Sequence, residues 1–577
     1  MMKHCILLSL CTFCAVPVFG QNINPTVEVT NAYEGNLMEI HKPQQVMALP
    51  DSLMHFNLDF SYSVFESPYR GSYEFRPYVM NMKPQPDAYD GKTLYLRAGA
   101  GFTFHPELTF AYSPRFKGKH QMSVYDDFRS YFGPYRSIDK DMKGSTGTFD
   151  GRDYSNRFGV DGRVDWEKSV FSYDVGFTSI SAKDTIMDRH YRAVDMSARV
   201  RSNNDGDKYF YYDGGLSLSF GEDRFSTMFP SSFLNKGISE NIFAFDGSFG
   251  PVLSRNSRFL VDVDMTVATY GNLLDANVGM LDVTPKYQIA KGRWDFSLGV
   301  KFGGFAKNDK TESAAHYKMF QNGSQILYPD LHADFNVIRS YLTLYGNVTG
   351  GDKANTYRSV LQGYHFFNPF ASDSFNAMLD NTVENVNFAA GAKGNIATRL
   401  HYDLKAGYSV VEKGMFDKVV CNPLINGFGS YSPEIMFANY RKFYSQFLFF
   451  WKSRTLVLDG GLAYQATKFR HPENNLFKPA SLSGDFRARY CWKDRISAGL
   501  DLNFASSRKG YLESVLGEPS PVKIPAYADL GMSVEYQFSR KMSFWATGGN
   551  LLNQNIQRHP YEPNSGIYFT AGICVNL

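Results

Sequence analysis

Gly566-IYFTAGICVN-Leu577, the last twelve residues, is the most informative segment of the chain. Ile567, Phe569, Ala571, Ile573, Val575 and Leu577 are apolar, and Tyr568, Thr570, Gly572, Cys574 and Asn576 between them are small, polar or amphipathic. Strict period-two alternation is the signature of a strand with one buried face. Carried to the last residue, it fits the closing strand of a transmembrane barrel. A final strand of a soluble sandwich would show the same pattern, so the rest of the chain must separate the two.

Counting backward from 566–577, alternating segments recur from 541–549 to 92–104 and make 22 strands in all. Their connections alternate in length. Tight turns are expected at 167–169, 202–206, 251–255, 290–292, 338–339, 453–454 and 539–540, and long loops at 131–155, 222–238, 306–326, 351–383, 412–440, 507–524 and 550–565. Short turns on one side of a membrane and long loops on the other produce this rhythm. A sandwich has no reason to keep it.

Tryptophan gives an independent check. Trp166, Trp451 and Trp492 stand beside expected tight turns and Trp294 is two residues from one, all on the apolar parity of their strands. Amphipathic rings at the headgroup level form such a girdle. Trp545 falls on the opposite parity and does not fit. The other parity carries Arg157, Asp161, Arg163, Asp165, Asp195, Arg199, Arg201, Arg487, Arg489 and Asp501, with Gly99, Gly101, Gly159, Gly215 and Gly299. Mixed charges facing a wet lumen read as a structural ladder before they read as a selectivity device.

Composition agrees. The 577 residues include 49 Phe and 37 Tyr, an aromatic content of 16%, yet mean hydropathy is only −0.32. A barrel turns every second residue to lipid, so its average stays near that of a soluble protein. No stretch is long and apolar enough for a membrane helix. Residues 1–20 have the cationic start, apolar core from Ile6 to Phe19 and small final residues of a secretory signal peptide. Beyond that leader only Cys421, Cys491 and Cys574 remain, too few and too scattered for a disulfide framework or a metal site. Without Lys3 the 60 basic residues become 59 against 57 acidic, a balance that gives no case for nucleic acid.

The C-terminal region resembles the end of a TonB-dependent receptor. Pro525-Ala-Tyr527-Ala-Asp-Leu, Val534-Glu-Tyr536-Gln-Phe538 and Asn550-Leu551-Leu552-Asn553 are similar to that family's last strands and final loop. The resemblance implies a 22-strand outer-membrane β-barrel over 92–577, inserted by the barrel-assembly machinery through the C-terminal strand, and an encounter with the TonB complex. Its aromatic-rich style resembles barrels from Bacteroidota. Two features depart from the family. Only 21–91 precedes the barrel, where the family carries a much longer plug, and Leu577 replaces the usual aromatic terminal residue. Thr26-Val-Glu-Val-Thr30 resembles a TonB-contacting box. The segment 21–91 is either a periplasmic linker or a reduced plug folded into the lumen, and the second is preferred because an unobstructed barrel of this size would be a damaging hole.

No catalytic, cofactor or metal motif survives inspection. Asn203-Asn-Asp205-Gly-Asp207 has the oxygen density of a calcium loop but lacks the downstream Glu, and a hairpin turn is the better reading. The loops are more suggestive, with Phe225, Met228, Phe229 and Phe233 in one, Tyr364, Phe366, Phe367, Phe370 and Phe375 in a second, and Phe416, Phe428, Tyr431, Met436 and Phe437 in a third. Either these loops pack on one another over the mouth, or they offer an aromatic ligand surface. The functional expectation is uptake of a solute too large for general porins. A non-transporting scaffold for a surface lipoprotein or adhesin, and a constitutive porin, are the alternatives.

Overall fold

The computed structural model describes residues 93–577 apart from 117–118, 139–144, 185–186, 204–208, 228–236, 273–275, 310–326, 367–380, 397–398, 422–430, 472–475, 494 and 515–516. The leader, the TonB-box resemblance and the plug reading of 21–91 all fall outside the described residues.

Twenty-four strands, β1 (Leu94–Phe102) to β24 (Tyr568–Asn576), share one sheet. Each of β1 to β18 pairs antiparallel with the next; β19 (Ile496–Ala505) pairs with β22 (Tyr527–Ser539), followed by β23 (Met542–Gly549) and β24, and β24 returns to β1. Those 22 strands form the closed barrel read from the sequence, and closure leaves no unpaired edge in the lipid. The other two, β20 (Arg508–Ser514) and β21 (Gly517–Ile524), make a hairpin inside the expected loop 507–524, and β20 runs parallel to the tip of β15 (Leu400–Cys421).

At the seam, Gly99 pairs with Gly572 and Ala100 with Ala571. Leu94 and Leu577 exchange backbone hydrogen bonds of 2.9 and 2.8 Å. Trp545, the tryptophan of wrong parity, points inward here. Its indole N–H donates to the Ile573 carbonyl at 3.3 Å, and the Arg97 guanidinium lies 4.1 Å from the ring centre. A Cβ on Gly99 would come within 2.4 Å of that ring, so glycine makes room for the indole.

Along each strand the faces alternate. Phe158, Phe177, Val194, Met196, Leu216, Phe220, Phe243 and Phe302 are exposed on the outside as the lipid band requires. Trp166, Trp294 and Trp492 are exposed beside their turns and form the girdle, while Trp451 is half-buried. The outward parity turns polar where the strands leave the lipid. On β6 (Met187–Ser202) Val194 is followed outward by Arg192, His190 and Asp188; on β7 (Phe210–Thr227) Phe220 gives way to Glu222 and Arg224.

Two loop expectations are corrected at this level. Most of 131–155 and much of 412–440 are strand: β3 (His120–Ile138) and β4 (Ser145–Asp165) pair out to Ile138 and Ser145, and β15 and β16 (Tyr431–Lys452) pair out to Cys421 and Tyr431. Each of β15 and β16 has 22 residues, about twice what a membrane-spanning strand needs, and the excess stands above the bilayer as a two-stranded finger. Hydrogen bonding does not stop where lipid stops, so polarity marks the membrane edge and not the strand end.

Candidate functional site: a loop folded into the mouth

The connection between β13 (Leu342–Lys353) and β14 (Thr382–Ile396) does not stay on its own side of the barrel. It contains the helix α1 (Tyr357–Gly363), started by Thr356, whose hydroxyl accepts from the Ser359 N–H while the Ser359 hydroxyl accepts from the Thr356 N–H. That reciprocal capping box satisfies two amides that a short helix would otherwise leave open. Tyr357, Val360 and Leu361 recur at helical spacing and are buried. They enter one apolar cluster with Ile180, Met187, Tyr191, Phe225, Ile238, Tyr270, Ala276 and Phe305, which come from seven consecutive strands of the wall.

Polar contacts fix the orientation. The Arg358 guanidinium donates to both oxygens of Asp195, to Ser219 Oγ at 2.6 Å and to Thr178 Oγ1 at 3.4 Å. Its backbone N–H donates to Glu240 Oε2 at 3.1 Å, and Glu240 also accepts from the Tyr270 hydroxyl at 2.8 Å. The Tyr357 hydroxyl donates to Asp223, which also pairs with Arg189. Arg189 in turn donates to the His365 carbonyl at 3.1 Å, and the His365 ring meets Asp153 at 2.7 Å. A planar guanidinium held on both oxygens of a carboxylate is directional, so these contacts set register as well as strength.

Height follows from the strand faces. Thr178, Asp195 and Ser219 sit beside the lipid-facing Phe177, Val194 and Phe220, and Asp223 and Glu240 lie further out. The α1 segment therefore crosses where the barrel emerges from the bilayer.

Above it the outer loops pack on one another. Ile138, Val419, Phe477, Leu512, Ile524 and Tyr561 make a second apolar cluster, with Tyr431 stacked on Tyr561 at 4.2 Å. Asn550 and Asn553 of the Asn-Leu-Leu-Asn motif have φ of 46° and 50°, a left-handed geometry that asparagine tolerates. Asn550 bonds both ways with the Gln554 backbone, and Asn553 Oδ1 accepts from Arg136 at 2.9 Å on the β3–β4 finger. The crown touches the loop below through His559, whose ring stacks on Tyr364 at 4.4 Å and contacts Asp417 at 3.1 Å and the Gly363 carbonyl at 3.3 Å. Burial pulls the His559 imidazole down, but the Asp417 hydrogen bond and charge outweigh it and leave the pKa raised.

Of the loop aromatics singled out in the sequence, Phe225, Tyr364 and Phe366 are buried in the first cluster, Phe416 is buried against Phe469, and Phe437 packs on the first cluster. Met436 is exposed. Met228, Phe229, Phe233, Phe367, Phe370, Phe375 and Phe428 lie outside the described residues. The luminal charges include ladders, Arg157–Asp174 at 3.3 Å, Arg199–Asp213 at 2.7 Å and Arg487–Asp459 at 3.4 Å. Asp195 is different, because it serves α1. Sequence reasoning passed over Arg358, Arg189, Asp223 and Glu240, whose contacts with the α1 segment join residues more than 100 positions apart in the chain. The one local signal was Thr356-Tyr-Arg-Ser359, a capping box inside a supposed loop. Cys421, Cys491 and Cys574 are free thiols.

No family model matches the sequence, and no curated protein matches it. Solved structures do. The FrpB iron transporter from Neisseria meningitidis (F5-1 variant, apoprotein form) superposes with a TM-score of 0.62 at 8% identity, over 85% of this chain and 82% of that one. The siderophore receptor PiuA from Acinetobacter baumannii gives 0.60 at 8%, over 85% and 82%. The copper transporter OprC gives 0.58 at 13%, over 84% and 80%. Identities this low speak for the fold, and with the ring of 22 strands and its lipid-facing band they establish that the chain is an outer-membrane β-barrel with the fold of the TonB-dependent receptors.

Proposed function

We propose that the protein is a gated outer-membrane transporter of receptor type, taking up a solute too large for general porins. The observation that carries this is α1. A 22-strand barrel encloses a lumen that must be filled or plugged, and here a capped helix leaves the end of β13 and is held across the mouth by side-chain contacts, not by strand pairing. Contacts of that kind can be exchanged for contacts to a ligand. The iron, siderophore and copper cargoes in the names of similar structures support receptor-type uptake, without naming the solute carried here.

Residues 21–91 as a reduced plug, and energy supplied through the TonB complex, belong to the same proposal. The test is planar-bilayer conductance of the mature protein beside a variant whose residues 355–366 are replaced by a short Gly-Ser link. A small wild-type conductance that rises in the variant supports a gate at α1. A large, steady wild-type conductance means a constitutive porin and sinks the proposal. Uptake in cells should then stop when the inner-membrane motor is removed.

A further inference from the structure

Six residues inward from Glu240 along β8 (Ile238–Ser254) and six from Tyr270 along β9 (Ser257–Asn272) lies Asp246 opposite Asp264. Asp264 is the register partner of Asp282 on β10 (Ala276–Lys291), and Asp282 is the partner of Gly303 on β11 (Trp294–Asp309). Three carboxylates thus stand side by side on three neighbouring strands, at the depth of the lipid band. Like charges directly opposite across strands destabilise a sheet. Arg199, 3.1 Å from Asp246, relieves the outer end of the row.

The inner end is relieved on one side only, by Lys301. Asp282 is 3% exposed, its Oδ1 has no hydrogen-bond partner, and Lys301 Nζ reaches only Oδ2, at 3.8 Å. Asp352 on β13 accepts from the Tyr328 hydroxyl at 2.8 Å through Oδ1, while its Oδ2 is also buried without a partner. The two orphaned oxygens approach the same spot at Gly303, beside the edge of the Tyr328 ring. Both lie close to the point a Cβ there would occupy, Asp282 Oδ1 at 2.9 Å and Asp352 Oδ2 at 3.3 Å. A buried carboxylate oxygen without a partner is costly, and two converging on one spot are costlier.

We propose that Asp282 and Asp352 form a luminal site for a hard divalent cation of the calcium class, with Asp264 and Asp246 as its charged approach. The donors are carboxylate oxygens, which suit calcium or magnesium, and no nitrogen or sulfur donor joins them to favour a transition metal. Among the described residues no three His, Cys, Asp or Glu side chains converge on one point. Two carboxylates therefore supply the charge and water fills the remaining positions, which predicts weak binding of the extracellular kind, with Kd about 0.1–1 mM. The row leads from the half-exposed Asp246 to the buried Asp282 and provides the entry path. A bound cation joins β10 to β13 beneath α1, whether or not the barrel transports.

The experiment uses the full chain in detergent, stripped with chelator, and reads tyrosine-sensitised terbium luminescence displaced by calcium. Wild type should show a displaceable signal, and Asp282→Asn with Asp352→Asn should weaken calcium competition roughly ten-fold or more. Asp459→Asn, on a carboxylate already paired with Arg487, should leave it unchanged. If the double variant loses the heat-modifiable migration of a folded barrel, Asp352→Asn alone is read the same way. The proposal is overturned if the Asn variants compete like wild type. It is equally overturned if wild type shows no calcium-displaceable signal and is stabilised only by acid, because the two carboxyls would then share a proton.

Discussion

The Arg189 guanidinium and the Asp223 carboxylate lie 3.0 Å apart, and neither side chain has any solvent exposure. They belong to neighbouring strands, yet both also hold the loop that leaves the wall between β13 and β14, Arg189 through the His365 carbonyl and Asp223 through the Tyr357 hydroxyl. Removing one member of a buried pair leaves an uncompensated charge, at a cost of about 3–5 kcal/mol. Asp223→Ala should therefore free the α1 segment while the barrel stays folded. Limited proteolysis should cut near 354–366 in the variant and not in wild type, with unchanged heat-modifiable migration.

Arg358 tests the helix from its other side. Arg358→Ala removes donors to Asp195, Ser219 and Thr178 and should raise single-channel conductance. Arg358→Lys should rescue little, because an ammonium cannot span both Asp195 oxygens. Equal conductance in wild type and Arg358→Ala would remove this residue from the gate.

The crown should loosen with rising pH. His559 has a raised pKa, with Asp417 outweighing burial, and Glu562, Arg508 and Tyr364 are its other charged or titratable neighbours. A group raised on docking stabilises the docked state fully below its released pKa, about 6.5. That contribution is lost as pH climbs through the docked value. Channel-opening frequency should therefore rise between about pH 6 and 8. His559→Gln should flatten the dependence; a wild-type profile already flat over that range would exclude His559 as its source.

The seam makes a steric prediction. A side chain at Gly99 meets the Trp545 ring, and one at Gly572 would come within 2.0 Å of the Ala98 carbonyl. Gly99→Val and Gly572→Val should each destabilise closure by about 1–3 kcal/mol or more, the usual cost of overpacking. The readout is the temperature at which the folded band disappears on a gel. Gly99→Val with Trp545→Ala should recover part of the loss, the Ala571 carbonyl 2.8 Å from the new Cβ accounting for the rest, whereas Gly572→Val should gain nothing from it.

Much of the architecture was legible in the sequence because lipid acts on every strand locally. An apolar residue at each second position, a turn at each inner end and tryptophans beside Ser169, Phe296 and Ile496 are all short-range facts, and they yielded the 22 strands and the girdle. Trp545 defied the pattern because its environment is the lumen, where Arg97 and Gly99 receive it from another part of the chain.

The lumen face is where sequence reading ran out. Water and protein both tolerate charge there, so a ladder such as Arg199–Asp213 and an anchor such as Asp195 look alike along the chain. Arg358 lies 163 residues from Asp195, and Tyr357 134 from Asp223. The hairpin β20–β21 took its place from the β15 tip, again by a distant pairing. The barrel, its strand count and its lipid-facing surface could be read along the chain, because alternation against a uniform apolar solvent is a local constraint. That 354–366 crosses the mouth and that Asp282 and Asp352 approach one spot beneath it is a property of the folded ring, because those contacts exist only once ring closure brings distant parts of the chain together.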